Sequence, residues 1–126
     1  MRLDLVYLAA GALLGVFLRY YVTSDNLFIG ELPVSVLVIN ILGSFILGAT
    51  ATAVSELGLS QDYTFFVGIG FCGTLTTMST FAFETVNMLS VGELATAGVS
   101  IILNVGCSFG AIILGRALVM LLVGLG

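Results

Sequence analysis

The sequence predicts an all-α membrane protein, a single domain of four transmembrane helices. Of its 126 residues, 60% are hydrophobic and only 8% are charged, whereas soluble globular domains carry about 25% charged residues. The few charges divide the chain into four apolar runs, and a helix of about 20 such residues crosses a bilayer. We therefore place the spans at roughly residues 4–23, 32–55, 63–91 and 94–123.

The composition also excludes several classes of function. The chain has no histidine, so neither a histidine-based catalytic group nor a histidine-based metal site is available. Its three basic residues form no patch for nucleic acid. Cys72 and Cys107 both lie in apolar runs, where a free cysteine usually acts as a small buried hydrophobe. The composition favours permeation or packing over bond-breaking catalysis, and no enzyme activity is expected.

The first span carries a charge near its end. The apolar run between Asp4 and Arg19 is short for a span, so we expect Arg19 to lie near one membrane surface or to face a wet cavity. The connector that follows is short and polar, and its Pro33 suits the first turn of the second helix. The second span should therefore begin close to this proline.

Small residues spaced four apart predict close helix packing in three of the spans. The pairs are Gly11 and Gly15, Ser44 and Gly48, and Gly106 and Gly110. Such pairs bring the backbones of neighbouring helices together and usually indicate packing rather than a binding site.

The loop charges leave the orientation in the membrane open. Arg2 and Arg116 fall on the side of the two termini and Arg19 falls on the other side, so the basic-residue bias that normally sets topology is two against one. The chain is compatible with a single orientation and also with insertion in both orientations. The second case would permit an antiparallel dimer of inverted copies.

Polar side chains at membrane depth occur in the second and fourth spans. Asn40 lies in the middle of VLVINILGSF, and an unpaired amide in hydrocarbon is costly, so Asn40 must have a partner. Ser100, Asn104 and Ser108 recur every four residues and share one stripe of the fourth helix. These groups either join helices by hydrogen bonds alone or form the wall of a polar track.

The third span contains an unusual segment, GFCGTLTTMSTFAFE, which is rich in glycine and hydroxyl groups. Regular helix is disfavoured there, and we predict a break between Gly73 and Thr77. Irregular backbone at this depth is tolerated only where protein or water covers it. Broken membrane helices form ion sites, because free carbonyls hold cations and helix N-termini favour anions.

Side chains after the predicted break suit a small anion. Met78 and Phe81 share a helix face, and the positive edge of a phenylalanine ring can contact an anion, although packing alone would also explain Phe81. Glu84 within a span indicates function by default, unless Arg19 simply neutralises it. All other polar groups here are neutral, which suits weak binding and rapid exit of an ion.

These residues resemble the Fluc (CrcB) family of fluoride channels, small four-span proteins of the microbial plasma membrane. GALLGVFLRY resembles the first-span signature of the family and VLVINILGSFILG the second-span signature. GFCGTLTTMSTFAFE is similar to the third-span motif nearly position for position. The resemblance covers essentially the whole chain.

The resemblance implies a passive channel that exports cytoplasmic fluoride from an antiparallel, dual-topology homodimer with two parallel pores. It implies a structural sodium ion at the dimer centre, held by the backbone carbonyls of Gly73 and Thr76. The fluoride pathway would comprise Asn40, Met78, Ser79, Thr80, Phe81, Ser100, Asn104 and Ser108. Arg19 and Glu84 would be the charges of the vestibule.

One departure from the family pattern is Met78, which replaces the first phenylalanine of a pair and offers no aromatic edge. A heterodimer with a related chain therefore stays open. An alternative function is a small multidrug-type, proton-coupled transporter, but that mechanism needs an acid in the first span, and none lies between Asp4 and Arg19. A second alternative is a packing subunit that transports nothing.

Overall fold

The computed structural model describes residues 3–25 and 27–124. Three uninterrupted helices are α1 (Leu3–Ser24), α2 (Ser35–Leu57) and α5 (Leu94–Gly124). The third span is helical in two pieces between α2 and α5. All four spans are long and apolar enough to cross a membrane, so the protein is an all-α membrane protein, as the sequence predicts.

The third span changes its winding twice. Its first part, α3 (residues 64–75), is a wide π-type segment, Thr64–Cys72, followed by a single α turn, Gly73–Leu75. The second part is α4 (Met78–Ser90). Thr76 and Thr77 between them are extended, with ψ angles of 153° and 118°. We call these two residues the break.

Glycines shape the connectors between the helices. Gly58, with φ of 62°, ends α2 in the left-handed conformation that glycine adopts without strain. Gly92, with φ of 85°, makes the turn between α4 and α5. The third connector, between α1 and α2, is a β-hairpin in which β1 (Phe28–Ile29) pairs antiparallel with β2 (Leu32–Pro33). Each connector is short, so consecutive helices run side by side.

The hairpin corrects the expectation for Pro33, which lies in β2 and not in the first turn of α2. The backbone N–H of Leu27 donates to Ser35 Oγ at 2.9 Å, and its carbonyl accepts from Val34 N–H at 2.9 Å. These long-range hydrogen bonds hold residues 27–34 in a hairpin, so the helix begins only at Ser35.

Two pairs of elements pack at close range, α2 with α5 and α1 with α3. A methyl group added at Gly48 would overlap the carbonyl of Ile112 in α5. One added at Gly11 or Gly15 would overlap backbone carbonyls of α3. The predicted close packing is confirmed at these three glycines.

The glycine pair predicted in α5 does not make such a contact within the chain. A methyl group at Gly106 or Gly110 would meet nothing within 4 Å. The close approach to α2 is instead at Gly115, where a methyl group would overlap the carbonyl of Phe45. The sequence correctly predicted that a small residue of α5 packs closely against another helix. The contact is at Gly115, however, and not at Gly106 or Gly110.

The different surroundings of the α5 glycines predict that the same glycine-to-alanine substitution changes thermal stability differently at two positions. Gly115→Ala should lower the thermal unfolding midpoint of the purified protein, because forcing apart packed backbones costs about 1–3 kcal/mol. Gly98→Ala should leave the midpoint unchanged or raise it, because a methyl group at Gly98 meets nothing within 4 Å and alanine favours helix over glycine by about 1 kcal/mol. Equal midpoints for the two variants would contradict the observed α2–α5 contact.

Candidate functional site

A cavity of about 350 Å³ lies between α2, α5 and the third span at the break. Its walls bring together seven of the predicted site residues and contain no charged side chain. The seven are Asn40, Gly73, Thr76, Met78, Phe81, Asn104 and Ser108. Residues from three separate spans thus meet at one uncharged, partly polar site.

The amide of Asn40 holds the break in place. Its Nδ2 donates to the Thr77 carbonyl at 3.3 Å, and its Oδ1 accepts from the Thr77 N–H at 2.9 Å. The side chain therefore pairs with the Thr77 backbone as a neighbouring strand would. Sequence reasoning required a partner for Asn40, and that partner is the break itself.

The hydrogen bonds continue from Asn40 into α5. Asn40 Nδ2 also donates to Asn104 Oδ1 at 3.1 Å, and Asn104 Nδ2 donates to the Ser100 carbonyl at 3.2 Å. Ser100 and Asn104 are buried, with 2% and 6% of their surfaces exposed. Ser100 thus lies behind the cavity wall and takes part through its backbone, whereas Ser108 lines the cavity directly.

The carbonyls of Gly73 and Thr76 lie where α3 ends. In a continuous helix the Thr77 N–H would bond to the Gly73 carbonyl, but here it bonds to Asn40. The Thr76 carbonyl accepts a hydrogen bond from Arg19 Nη1 at 3.4 Å. Arg19 therefore reaches the break from α1, and its place in a vestibule stays a prediction.

A cluster of hydroxyl groups forms the start of α4. Thr77 Oγ1 accepts from the Thr80 N–H at 3.2 Å, donates to Thr80 Oγ1 at 3.1 Å and lies 3.2 Å from Ser79 Oγ. This is the usual way in which a threonine caps a helix N-terminus. Ser79 and Thr80 are exposed and lie beside the cavity, not in its wall.

Two aromatic rings and one thioether border the cavity. Phe81 is buried, with 6% of its surface exposed, whereas Met78 is 71% exposed at the rim. Phe109 of α5 also lines the cavity and is 66% exposed. Sequence reasoning did not identify Phe109, although it directly follows Ser108. Glu84 lies further along α4, half-buried and outside the cavity wall.

Two further polar residues line the cavity that the sequence did not predict as part of the site. Ser44 lines the cavity one helical turn after Asn40, a spacing that could have indicated it. Thr77 lines it through the backbone that Asn40 holds. Among the described residues, no group of three or more histidine, cysteine, aspartate or glutamate side chains could hold a metal ion.

Four apolar spans, three of which line an uncharged cavity, define a multi-pass membrane protein whose polar groups converge between its helices. The profile of the family described as CrcB-like protein, Camphor Resistance (CrcB), matches residues 6–116. The chain belongs to this family.

Curated relatives match over most of their length. A protein of Nitrosopumilus maritimus is 43% identical over 116 residues, 92% of each chain. One of Methanococcus maripaludis is 36% identical over 113 residues, 90% of this chain and 93% of the relative. One of Shewanella halifaxensis is 36% identical over 118 residues, 92% of this chain and 95% of the relative. Each of the three relatives is named a fluoride-specific ion channel, FluC.

Proposed function

We propose that this protein is a fluoride channel that passively releases cytoplasmic fluoride across the plasma membrane. The observation that carries the proposal is the uncharged cavity at the break, where Asn40, Phe81 and Ser108 converge. The names of the relatives support fluoride as the permeating ion.

The cavity chemistry fits an ion that must exchange its water for other donors. The Ser108 hydroxyl can donate from α5, and the positive edge of the Phe81 ring can approach an anion. Neutral donors bind an anion less tightly than a fixed positive charge does. Conduction requires this kind of binding, which is favourable but reversible. Met78 contributes a polarizable thioether at the rim and no ring edge.

In this proposal the N–H groups of Asn40 have two competing tasks. Both of its N–H groups already donate, to the Thr77 carbonyl and to Asn104 Oδ1. A fluoride ion at Asn40 must therefore compete with these two acceptors. The primary task of Asn40 would be to hold the break, with donation to the ion as a second one.

The complete channel would be an antiparallel, dual-topology dimer of two copies. In one chain, Met78 and Phe109 leave large apolar surfaces exposed at the cavity rim, which a second, inverted copy would cover. The open α5 face at Gly106 and Gly110 would be available for the same contact. The nearly balanced distribution of arginines fits a homodimer. Because Met78 stands where the family pattern has the first phenylalanine of a pair, a heterodimer with a related chain is the alternative.

A structural sodium ion fits the break, which we place at mid-membrane. The carbonyls of Gly73 and Thr76 end a helix, where the backbone dipole favours a cation, and hard cations prefer oxygen ligands. One chain offers two such carbonyls, so the same residues of a second copy would complete the site. Arg19 donates to the Thr76 carbonyl, so a sodium ion at this oxygen would have to compete with a positively charged group.

Fluoride efflux from liposomes that contain the purified protein tests the proposal. We expect fluoride to leave in response to an outward gradient without a proton gradient, while chloride is retained. Efflux that depends on a proton gradient or on an organic cation would favour the multidrug-type transporter. No fluoride efflux from folded, dimeric protein would overturn the proposal and favour a packing subunit.

A further inference from the structure

The hairpin between α1 and α2 has an apolar, exposed first strand. Gly30, with φ of 63°, occupies the first position of its two-residue turn, where glycine is preferred, and Glu31 occupies the second. Phe28 pairs with Pro33 and Ile29 with Leu32. We call the three apolar residues that lead into this turn, 27–29, the hairpin tip. Leu27, Phe28 and Ile29 expose 48%, 58% and 73% of their surfaces.

Leu27, the first residue of the hairpin tip, has its backbone paired within the protein. Leu27 uses both of its backbone groups, donating to Ser35 Oγ and accepting from Val34 N–H. Ser35 Oγ in turn donates to the Asp25 carbonyl at 3.2 Å. Backbone groups that are paired within the protein can enter a membrane surface at little cost, whereas free ones cannot.

The position of the hairpin limits what can cover its tip. It joins two helices that are each long enough to span the bilayer, so it lies where both reach the membrane surface. Tyr20 and Tyr21, at the end of α1, are 73% and 78% exposed. Tyrosines are enriched in the interfacial layer, where the ring is in apolar surroundings and the hydroxyl is hydrated.

We propose that the hairpin tip inserts into the boundary between headgroups and acyl chains and anchors this end of the α1–α2 pair. Exposed side chains of three consecutive apolar residues gain free energy in proportion to the area removed from water. The tip is the only part of the connector that needs to enter the boundary, because Asp25 and Glu31 flank it with charges that prefer water.

The charges of the connector also select the lipid. Between Tyr20 and Pro33 the sequence has two acids, Asp25 and Glu31, and no basic residue. Basic residues attract anionic headgroups by about 1 kcal/mol each, and acids have the opposite effect. The hairpin therefore fits a zwitterionic surface better than an anionic one.

Single tryptophans provide a test, because the chain contains none. Phe28→Trp and Ile29→Trp place a probe on the hairpin tip, and Ser60→Trp places one on the exposed polar connector after α2. In phosphatidylcholine liposomes we expect blue-shifted emission at positions 28 and 29. We also expect strong quenching by lipids brominated near the headgroup and weak quenching by aqueous iodide. Ser60→Trp should show the reverse pattern.

Each other outcome overturns part or all of the proposal. Strong quenching by iodide at both tip positions would mean that the tip is in water. Weak quenching by both agents would mean that protein covers it, as a second copy of the chain would. Brominated phosphatidylglycerol should quench less than brominated phosphatidylcholine, and Glu31→Gln should reduce that difference. Equal quenching by the two lipids in a tip-tryptophan variant that keeps Glu31 would overturn the lipid preference.

Discussion

Replacing Asn40 with aspartate is expected to abolish fluoride efflux from liposomes while the protein stays helical. The carboxylate cannot donate to the Thr77 carbonyl or to Asn104 Oδ1, which are the two acceptors that Asn40 Nδ2 satisfies. Losing both hydrogen bonds and leaving the acceptors unpaired costs on the order of 3 kcal/mol. If conduction requires the observed conformation of the break, a penalty of that size lowers the competent population about 100-fold.

Thr52→Val is the matched control for this change. Thr52 is another polar residue of α2, but its hydroxyl donates to the Gly48 carbonyl of its own helix at 2.9 Å. Losing that bond disturbs no other span, so efflux should stay near the unsubstituted rate. Normal efflux from the Asn40→Asp protein would show that the amide of Asn40 is not needed to hold the break.

Replacing Phe81 with isoleucine is expected to reduce fluoride efflux about tenfold, since an aromatic contact is worth about 1 kcal/mol and packing around a smaller side chain adds to the loss. Phe81 is the buried ring of the cavity wall. Isoleucine keeps an apolar side chain there but removes the positive ring edge. Initial efflux rates in matched liposomes, normalised to the amount of folded protein, provide the measurement.

Phe83→Ile makes the same chemical change two residues away. Phe83 is 67% exposed and lies outside the cavity wall, so its replacement should leave the rate nearly unchanged. If the two variants lost activity equally, the loss would reflect general packing of α4 rather than the ring at the cavity.

Much of the architecture was predictable because lipid imposes strict conditions on a sequence. Charges are costly in a bilayer, so their positions marked the four spans. An amide at that depth must be paired, which identified Asn40 and Asn104 before any partner was known. The structure joins these two side chains directly. The two amides that this requirement identified, Asn40 and Asn104, both line the cavity.

Other features depend on contacts between distant parts of the chain and could not be predicted. The pairing of Asn40 with Thr77 joins residues 37 positions apart, and no local pattern indicates it. The hairpin forms because Ser35 and Val34 bond back to Leu27, whereas local propensity favoured a helix starting at Pro33. The contact of Gly115 with α2 depends on which turns of two helices face each other.

The number of residues between the start of the third span and the break matters as much as their composition. After the π-type segment Thr64–Cys72, a single α turn, Gly73–Leu75, leads to the break. Deleting one residue from this α turn would shorten the span by only about 1.5 Å. It would also rotate everything that follows by about 100°, turning Thr77 away from Asn40. The thickness of the bilayer would tolerate such a deletion. The hydrogen bonds between the Thr77 peptide group and the Asn40 amide would not, because they require one angular alignment of the two helices.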